Sequence, residues 1–416
     1  MLMKGAAVMA ASSVSPAPAA AAEKRAAGAL AADEAHWRTI ARDFDVTDEF
    51  VNLENGNWGI MARPVLEKYL AHTRMVNYEN SYFSRRKYAD RYREALARIA
   101  AALGAQTDEI ALTRGATEAL QGLIGGYRGL KAGDAVMYAD LDYGSIQAAF
   151  DHLAAQNGCA VVRLAIPEPA DKEGLVAFYR DALAANPAVK LVLLTHVSHR
   201  TGLVIPVREI AAEARAAGAD VIVDAAHSWG QLDFSIDDLG ADFVGVNLHK
   251  WIGAPLGVGA MYIRRDRLDA IAPNMSAGTW AQDRIFGRVH TGTSNFAAVL
   301  TVPDALDYHD AVGRANKEAR LRYLRNLWVA EARPLDRIDI LTPDDPALHA
   351  GITAFRLKGV VSADDNKAIA EKLLQEHGVF TVHRTGVARG ACVRATPSIY
   401  NSGDDCLRLG EALKTL

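Results

Sequence analysis

The sequence predicts an α/β fold, with a large domain built on a mostly parallel sheet and a smaller α+β domain after it. Three observations carry this. Between residues 107 and 302, short and nearly all-apolar runs alternate with segments of helical period. Strands of that composition are buried on both faces, as in parallel sheets covered by helices. Polar clusters stand where those runs end. Beyond about residue 310 the texture changes to one long charged helix, followed by strands and helices in the pattern of an α+β unit.

Taken in order, "EIALTR" (109–114) is a strand that leads through Gly115 into the helical "GATEALQGLIGGY". "DAVMYAD" (134–140) is the next strand, and the helical "YGSIQAAFDHLAAQNG" after it stops at Gly158, a residue suited to the left-handed turn that ends a helix. "CAVVRLAI" (159–166) and "VKLVLLTHVS" (189–198) follow. "PVREIAAEARAAG" (206–218) opens on Pro206, places Val207, Ile210, Ala211 and Ala214 on one face and ends in Gly218, which reads as a helix. "DVIVD" (220–224), "DFVGVN" (242–247) and "GVGAMYI" (257–263) are further strands. A charged helix spans about 313–333. Then come a strand at 352–359, a helix from Ser362, strands at 379–384 and 392–396, and a last helix. The expected organisation is an N-terminal tail (1–36), a segment packing on both domains (37–64), the large domain (65–310) and the small domain (311–416).

Composition narrows the function. Lys and Arg number 46 against 50 Asp and Glu, a net charge of -4, with no long basic run, so nucleic acid is not an expected partner. The three cysteines, Cys159, Cys392 and Cys406, show neither paired nor zinc-like spacing. No stretch is long and apolar enough for a bilayer span, so no membrane partner is expected. The first residues, "MLMKGAAVMAASSVSPAPAAAAEKRA", carry one early lysine and then small residues ending in "APAAAAE". They read as an export signal, with a periplasmic or exported location expected; a disordered Ala/Pro-rich tail on a cytoplasmic protein is the alternative.

Four polar clusters fall at strand ends, where open α/β sheets bind ligands. They are Arg114–Thr117, Thr195–His199, Asp224–His227 and Asn247–Lys250. Asp224 ends an apolar run, and a buried carboxylate there needs a cationic partner. Lys250 lies among apolar residues and glycines in "NLHKWIGAPLG", surroundings that favour a neutral, nucleophilic amine. A lysine that forms an imine and a carboxylate that holds a pyridinium nitrogen are the chemical minimum for a pyridoxal 5'-phosphate enzyme. The N–H groups of Gly115, Ala116 and Thr117 at a helix start suit the phosphate. His199 and His227 are candidates for the phenolic oxygen and Tyr143 for stacking on the ring. His196, His199, His227 and His249 together also admit a metal site, but the Asp224–Lys250 pair has no role in one, so none is expected.

These residues resemble the class V aminotransferase superfamily of fold-type I pyridoxal-phosphate enzymes, from "FVNLENGNWGIMARPV" (50–65) to "CVRATPSIYNSGDDCLRL" (392–409). The set "HVSHRTGLVIPVREI", "VDAAHSWG" and "NLHKWIGAPLG" carries the likeness, and "NLENGNWG" and "NYENSYFSRR" (77–86) are closest to the isopenicillin N epimerase-like branch. The resemblance implies the aspartate aminotransferase-like fold, with the cofactor imine on Lys250 and Asp224 at the pyridine nitrogen. It implies His227 at the phenolic oxygen, with Ala116, Thr117, Asn247 and His249 at the phosphate. It also implies that Thr293, in "HTGTSN", reaches the phosphate of a partner subunit in a homodimer, and that Arg394 clamps a substrate carboxylate. Two departures stand out. His199 replaces an asparagine found in many relatives, and "RTGVARGACVRAT" shortens the loop that bears the nucleophilic cysteine of cysteine desulfurases, leaving Cys392 on a strand.

The expectation is therefore an enzyme acting at Cα of an amino acid or peptide-like substrate, epimerase- or aminotransferase-like. The alternatives are a cysteine desulfurase or C–S lyase, an oxygen-using enzyme on a secreted natural product, and a non-catalytic binding protein on the same scaffold. Trp58, Tyr78 and Tyr82 are candidates for the substrate entrance.

Overall fold

The computed structural model describes residues 26–290 and 292–416. Most of the expected export signal lies outside the described residues. A short strand, β1 (Val51–Asn52), precedes two long helices, Arg63–Arg86 and Tyr88–Leu103. Then come β2 (Ile110–Thr113), β3 (Ala135–Ala139), β4 (Ala160–Leu164), β5 (Val189–Thr195), β6 (Asp220–Asp224), β7 (Phe243–Asn247) and β8 (Gly259–Ile263). These seven form one sheet in the order β2-β8-β7-β6-β5-β3-β4. All neighbours are parallel except β8, which runs antiparallel to both β2 and β7.

The predicted α/β class with a mostly parallel sheet is the fold observed. Strands β5 to β7 are buried almost throughout, as their apolar sequences require. Helices Ala116–Gly126, Gly144–Asn157, Lys172–Ala185 and Val207–Ala216 connect the strands and cover both faces. Gly158 ends the second of these with φ 65°, in the left-handed region. Register sets the site: Thr195 pairs with Asp224, and Asp224 with Gly245, so the carboxyl ends of β5, β6 and β7 lie level.

The C-terminal part is an antiparallel sheet in the order β12-β13-β10-β9, made of β9 (Ile338–Ile340), β10 (Thr353–Leu357), β12 (Val382–Arg384) and β13 (Cys392–Ala395). The expected strand over 379–384 breaks at Thr381, because β11 (Val379–Phe380) pairs instead with β1. Helices Arg314–Ala332, Ala363–His377 and Gly403–Leu413 pack on this sheet around Trp328, Phe355, Leu373 and Leu409.

The segment before residue 64 reaches both parts. Leu53 accepts the Thr396 N–H at 2.7 Å, and Gly59 donates to the His249 carbonyl at 2.9 Å. A Cβ on Gly59 would fall 1.8 Å from the Lys250 carbonyl oxygen, so only glycine allows this approach.

Candidate active site

Strand ends, the N-terminal segment and the C-terminal sheet enclose a cavity of about 1010 Å³. Gly115, Ala116, Thr117, Tyr143, His199, Asp224, His227, Asn247, His249, Lys250 and Arg394 all line it. Thr293 does not; it is exposed, in the stretch before the helix Phe296–Leu300.

Asp224 closes β6 with its side chain buried. Burial pushes its pKa above the usual carboxylate range, opposed by the Ala226 N–H, which donates to Oδ1 at 2.9 Å, and by the charge of Lys250. A carboxylate so placed is costly by itself and is stabilised by a cation.

The Lys250 amine is 2.9 Å from His227 Nε2. Burial pulls its pKa down to about 8, with Asp224 opposing and Arg394 assisting the fall. His227 is held well below its ordinary range by burial and then by Lys250, so it is neutral. The Trp251 indole N–H points at His227 Nδ1 from 3.5 Å. That contact assigns the ring proton to Nε2, facing Lys250 and the cavity.

At the other end of the cavity, β2 passes through Gly115 into the helix Ala116–Gly126. A Cβ on Gly115 would lie 3.1 Å from Asn247 Oδ1 and 3.2 Å from His249 Cε1, filling the cradle. One expectation needs correction here. The Ala116 N–H is not free for a phosphate, because it donates to Asn247 Oδ1 at 2.7 Å. Asn247 thereby fixes the helix start and leaves its own amide N–H groups for an anion. The Val258 carbonyl lies 3.0 Å from His249 Nδ1, which places the proton there and frees Nε2. Thr117 lines the cavity beside them, at a helix N-terminus that favours negative charge.

Tyr143 and His199 meet edge to face, with ring centroids 5.1 Å apart. His199 is neutral, pushed well below its ordinary range by burial and by Arg200 and Arg394.

Arg394 is the residue expected to clamp a substrate carboxylate. It lines the cavity, but its guanidinium is already engaged. Nη2 donates to both oxygens of Glu54 at 2.6 Å, and Nη1 to the His199 carbonyl. Arg384 Nη2 adds a bond to Glu54 Oε1 at 3.1 Å. Neither Glu54 nor Arg384 was expected at the site. Their motifs, "NLENGNWG" and "HRTG", are local, whereas the contact joins residues more than 300 positions apart. Cys392 does not line the cavity. It is buried near the Arg200 carbonyl, and burial raises its thiol to about 12. A nucleophilic thiolate is not available there.

The comparisons with known proteins agree with this geometry. The family model for aminotransferase class-V matches residues 63–409, and the chain belongs to that family. The isopenicillin N epimerase of Streptomyces clavuligerus is 28% identical over 408 residues, covering 92% of this chain and 98% of the relative. A probable cysteine desulfurase 2 of Mycobacterium leprae is 28% identical over 341 residues, covering 77% of this chain and 79% of the relative. Among solved structures, the Escherichia coli cysteine desulfurase CsdA superposes with TM-score 0.76 at 21% identity, covering 92% of this chain and 98% of that one. A C-DES mutant with glycine linked to its pyridoxal phosphate superposes with TM-score 0.75 at 23% identity, covering 89% and 98%. Those two likenesses establish the fold. The cofactor of this family member is pyridoxal 5'-phosphate, and the buried Asp224, the glycine cradle and the lowered Lys250 fit it.

Proposed function

We propose that this enzyme moves a proton at Cα of an amino acid or peptide-like amine, with epimerisation or transamination as the outcome. One observation carries the reading: a buried Lys250 amine with its pKa lowered to about 8, 2.9 Å from a neutral His227, in the same cavity as the Asp224 carboxylate. Pyridoxal phosphate, when bound, supplies the electron sink beside Cα.

The chain's residues do the rest. Asp224 holds a carboxylate where a ring nitrogen must stay cationic. His227 offers its Nε2–H to a phenolic oxygen. Thr117, His249 and the Asn247 amide hold the phosphate, and Tyr143 bears on the ring. Lys250, released by the substrate amine, takes the proton from Cα as general base. Tyr143 and His199 line the same cavity and are the candidates for returning it to the other face. The buried Cys392 favours this reading over persulfide chemistry.

The test is incubation with L- and D-amino acids in deuterated water. Deuterium at Cα, absent with Lys250→Ala, is the expected result. Exchange that survives in the variant would refute Lys250 as the base. Inverted or keto-acid product then separates the two outcomes. The homodimer, with Thr293 reaching the partner's phosphate, belongs to the same proposal; sedimentation that finds only monomer would contradict it. Export through residues 1–36 is likewise proposed, with cell fractionation as its check.

A further inference from the structure

Glu54 sits on the partition between two cavities. Both its oxygens accept Arg394 Nη2, and Oε1 also accepts Arg384. Nη2 of Arg394 contacts both Glu54 oxygens and Nη1 the His199 carbonyl, so both terminal nitrogens of the guanidinium are already engaged. A substrate carboxylate reaching Arg394 meets a guanidinium whose two terminal nitrogens already bear acceptors. Gly56 lies close against the guanidinium, since a Cβ there would fall 2.7 Å from Arg394 Nη2.

The carboxylate is not on a loose loop. Glu54 bridges Thr396, Asn55 donates to the Thr396 carbonyl at 3.2 Å, and Thr396 donates to Leu53 at 2.7 Å. The Glu54 side chain is 7% exposed and that of Arg394 1%. Parting them would strand buried charges. A free amino acid must therefore compete for Arg394 against a carboxylate already seated.

Beyond the partition lies a cavity of about 530 Å³, bounded by Glu54, Trp58, Phe380 and Tyr400. Asn57 and Arg384 line both this annex and the catalytic cavity, so the two are contiguous. A group extending from the substrate carbonyl has room there, against aromatic rings.

We infer that Glu54 determines specificity, selecting an amine whose neighbouring carbonyl is a neutral amide, the terminal residue of a peptide-like compound, over a free α-amino acid. This rests on the proposed function and names the substrate class of the same site.

Calorimetric binding of L-alanine and L-alaninamide to the holoenzyme tests it. Wild type is expected to bind the amide at least as tightly as the acid. Glu54→Gln is expected to gain roughly tenfold or more in L-alanine affinity, with the amide changing much less. Tighter binding of L-alanine by wild type, or no measurable binding of the amide, overturns the inference. So does a folded Glu54→Gln that gains nothing for L-alanine. If the variant does not fold, the wild-type pair decides alone. Failure of the proposed function would show separately, as absent Cα exchange in a protein whose acid-to-amide preference is still measurable.

Discussion

Lys250 combines an amine lowered to about 8 with a place beside Asp224 and His227. Only the neutral amine attacks an aldehyde. Cofactor uptake by protein stripped of pyridoxal phosphate should therefore rise about tenfold per pH unit below pH 8 and flatten above it. Stopped-flow mixing over pH 6 to 10 measures this; a rate still climbing toward pH 10 would mean an ordinary lysine. Lys250 and Asp224 were legible because each follows an apolar run that could only be a buried strand, and a charge there has few uses. Glu54 was not legible. Its significance lies in Arg394, which the fold brings to it from 340 residues away. The Ala116 N–H, expected at the phosphate, bonds Asn247 Oδ1 instead, a contact across 131 residues that nothing local shows.

The strands and the long helix Arg314–Ala332 were legible, while the direction of β8 and the long helices Arg63–Arg86 and Tyr88–Leu103 were not. Strand β8 joins the sheet antiparallel after the loop that holds Lys250, and its composition matches its parallel neighbours. Helix Arg63–Arg86 buries Val65 and Phe83 but leaves Tyr78 90% exposed and Tyr82 62% exposed, so it shows no strong apolar stripe. Its exposed tyrosines do not line the catalytic cavity, and of the three proposed entrance aromatics only Trp58 borders the annex. At the start of β8, a Cβ on Gly259 would sit 2.5 Å from Gly115 Cα, backbone that cannot give way without moving the turn proposed to cradle the phosphate. Gly259→Ala is expected to weaken pyridoxal-phosphate affinity by roughly tenfold or more and to lower stability by about 1–3 kcal/mol. Equilibrium dialysis and urea unfolding check the two, and an unchanged affinity would mean the cradle is not where the phosphate is held.

Across the whole molecule, the long C-terminal helix braces the lysine loop. Lys317 is buried, donates to the Trp251 carbonyl and has His309 Nδ1 3.5 Å away. Burial pulls its pKa down to about 7. Between pH 7 and about 10.4, the lysine reference value, the unfolded chain then holds a proton that the folded chain lacks, so stability rises with pH over that window. Lys317→Met should flatten that slope in thermal unfolding scans, and an unchanged slope would place the proton elsewhere. On the same helix Arg320 bonds Glu34 and the Asn401 carbonyl, so one element joins segments far apart in sequence to the loop that carries Lys250.

Visible absorbance of the purified protein, before and after adding pyridoxal phosphate, and again for Lys250→Ala, bears on all of this at once. The structure predicts a wild type with a visible cofactor band that the variant lacks, the variant still folding with the same circular dichroism. A wild type that stays colourless with the cofactor in excess, or a variant with an identical band, would contradict the assignment of Lys250 and with it the site built around it.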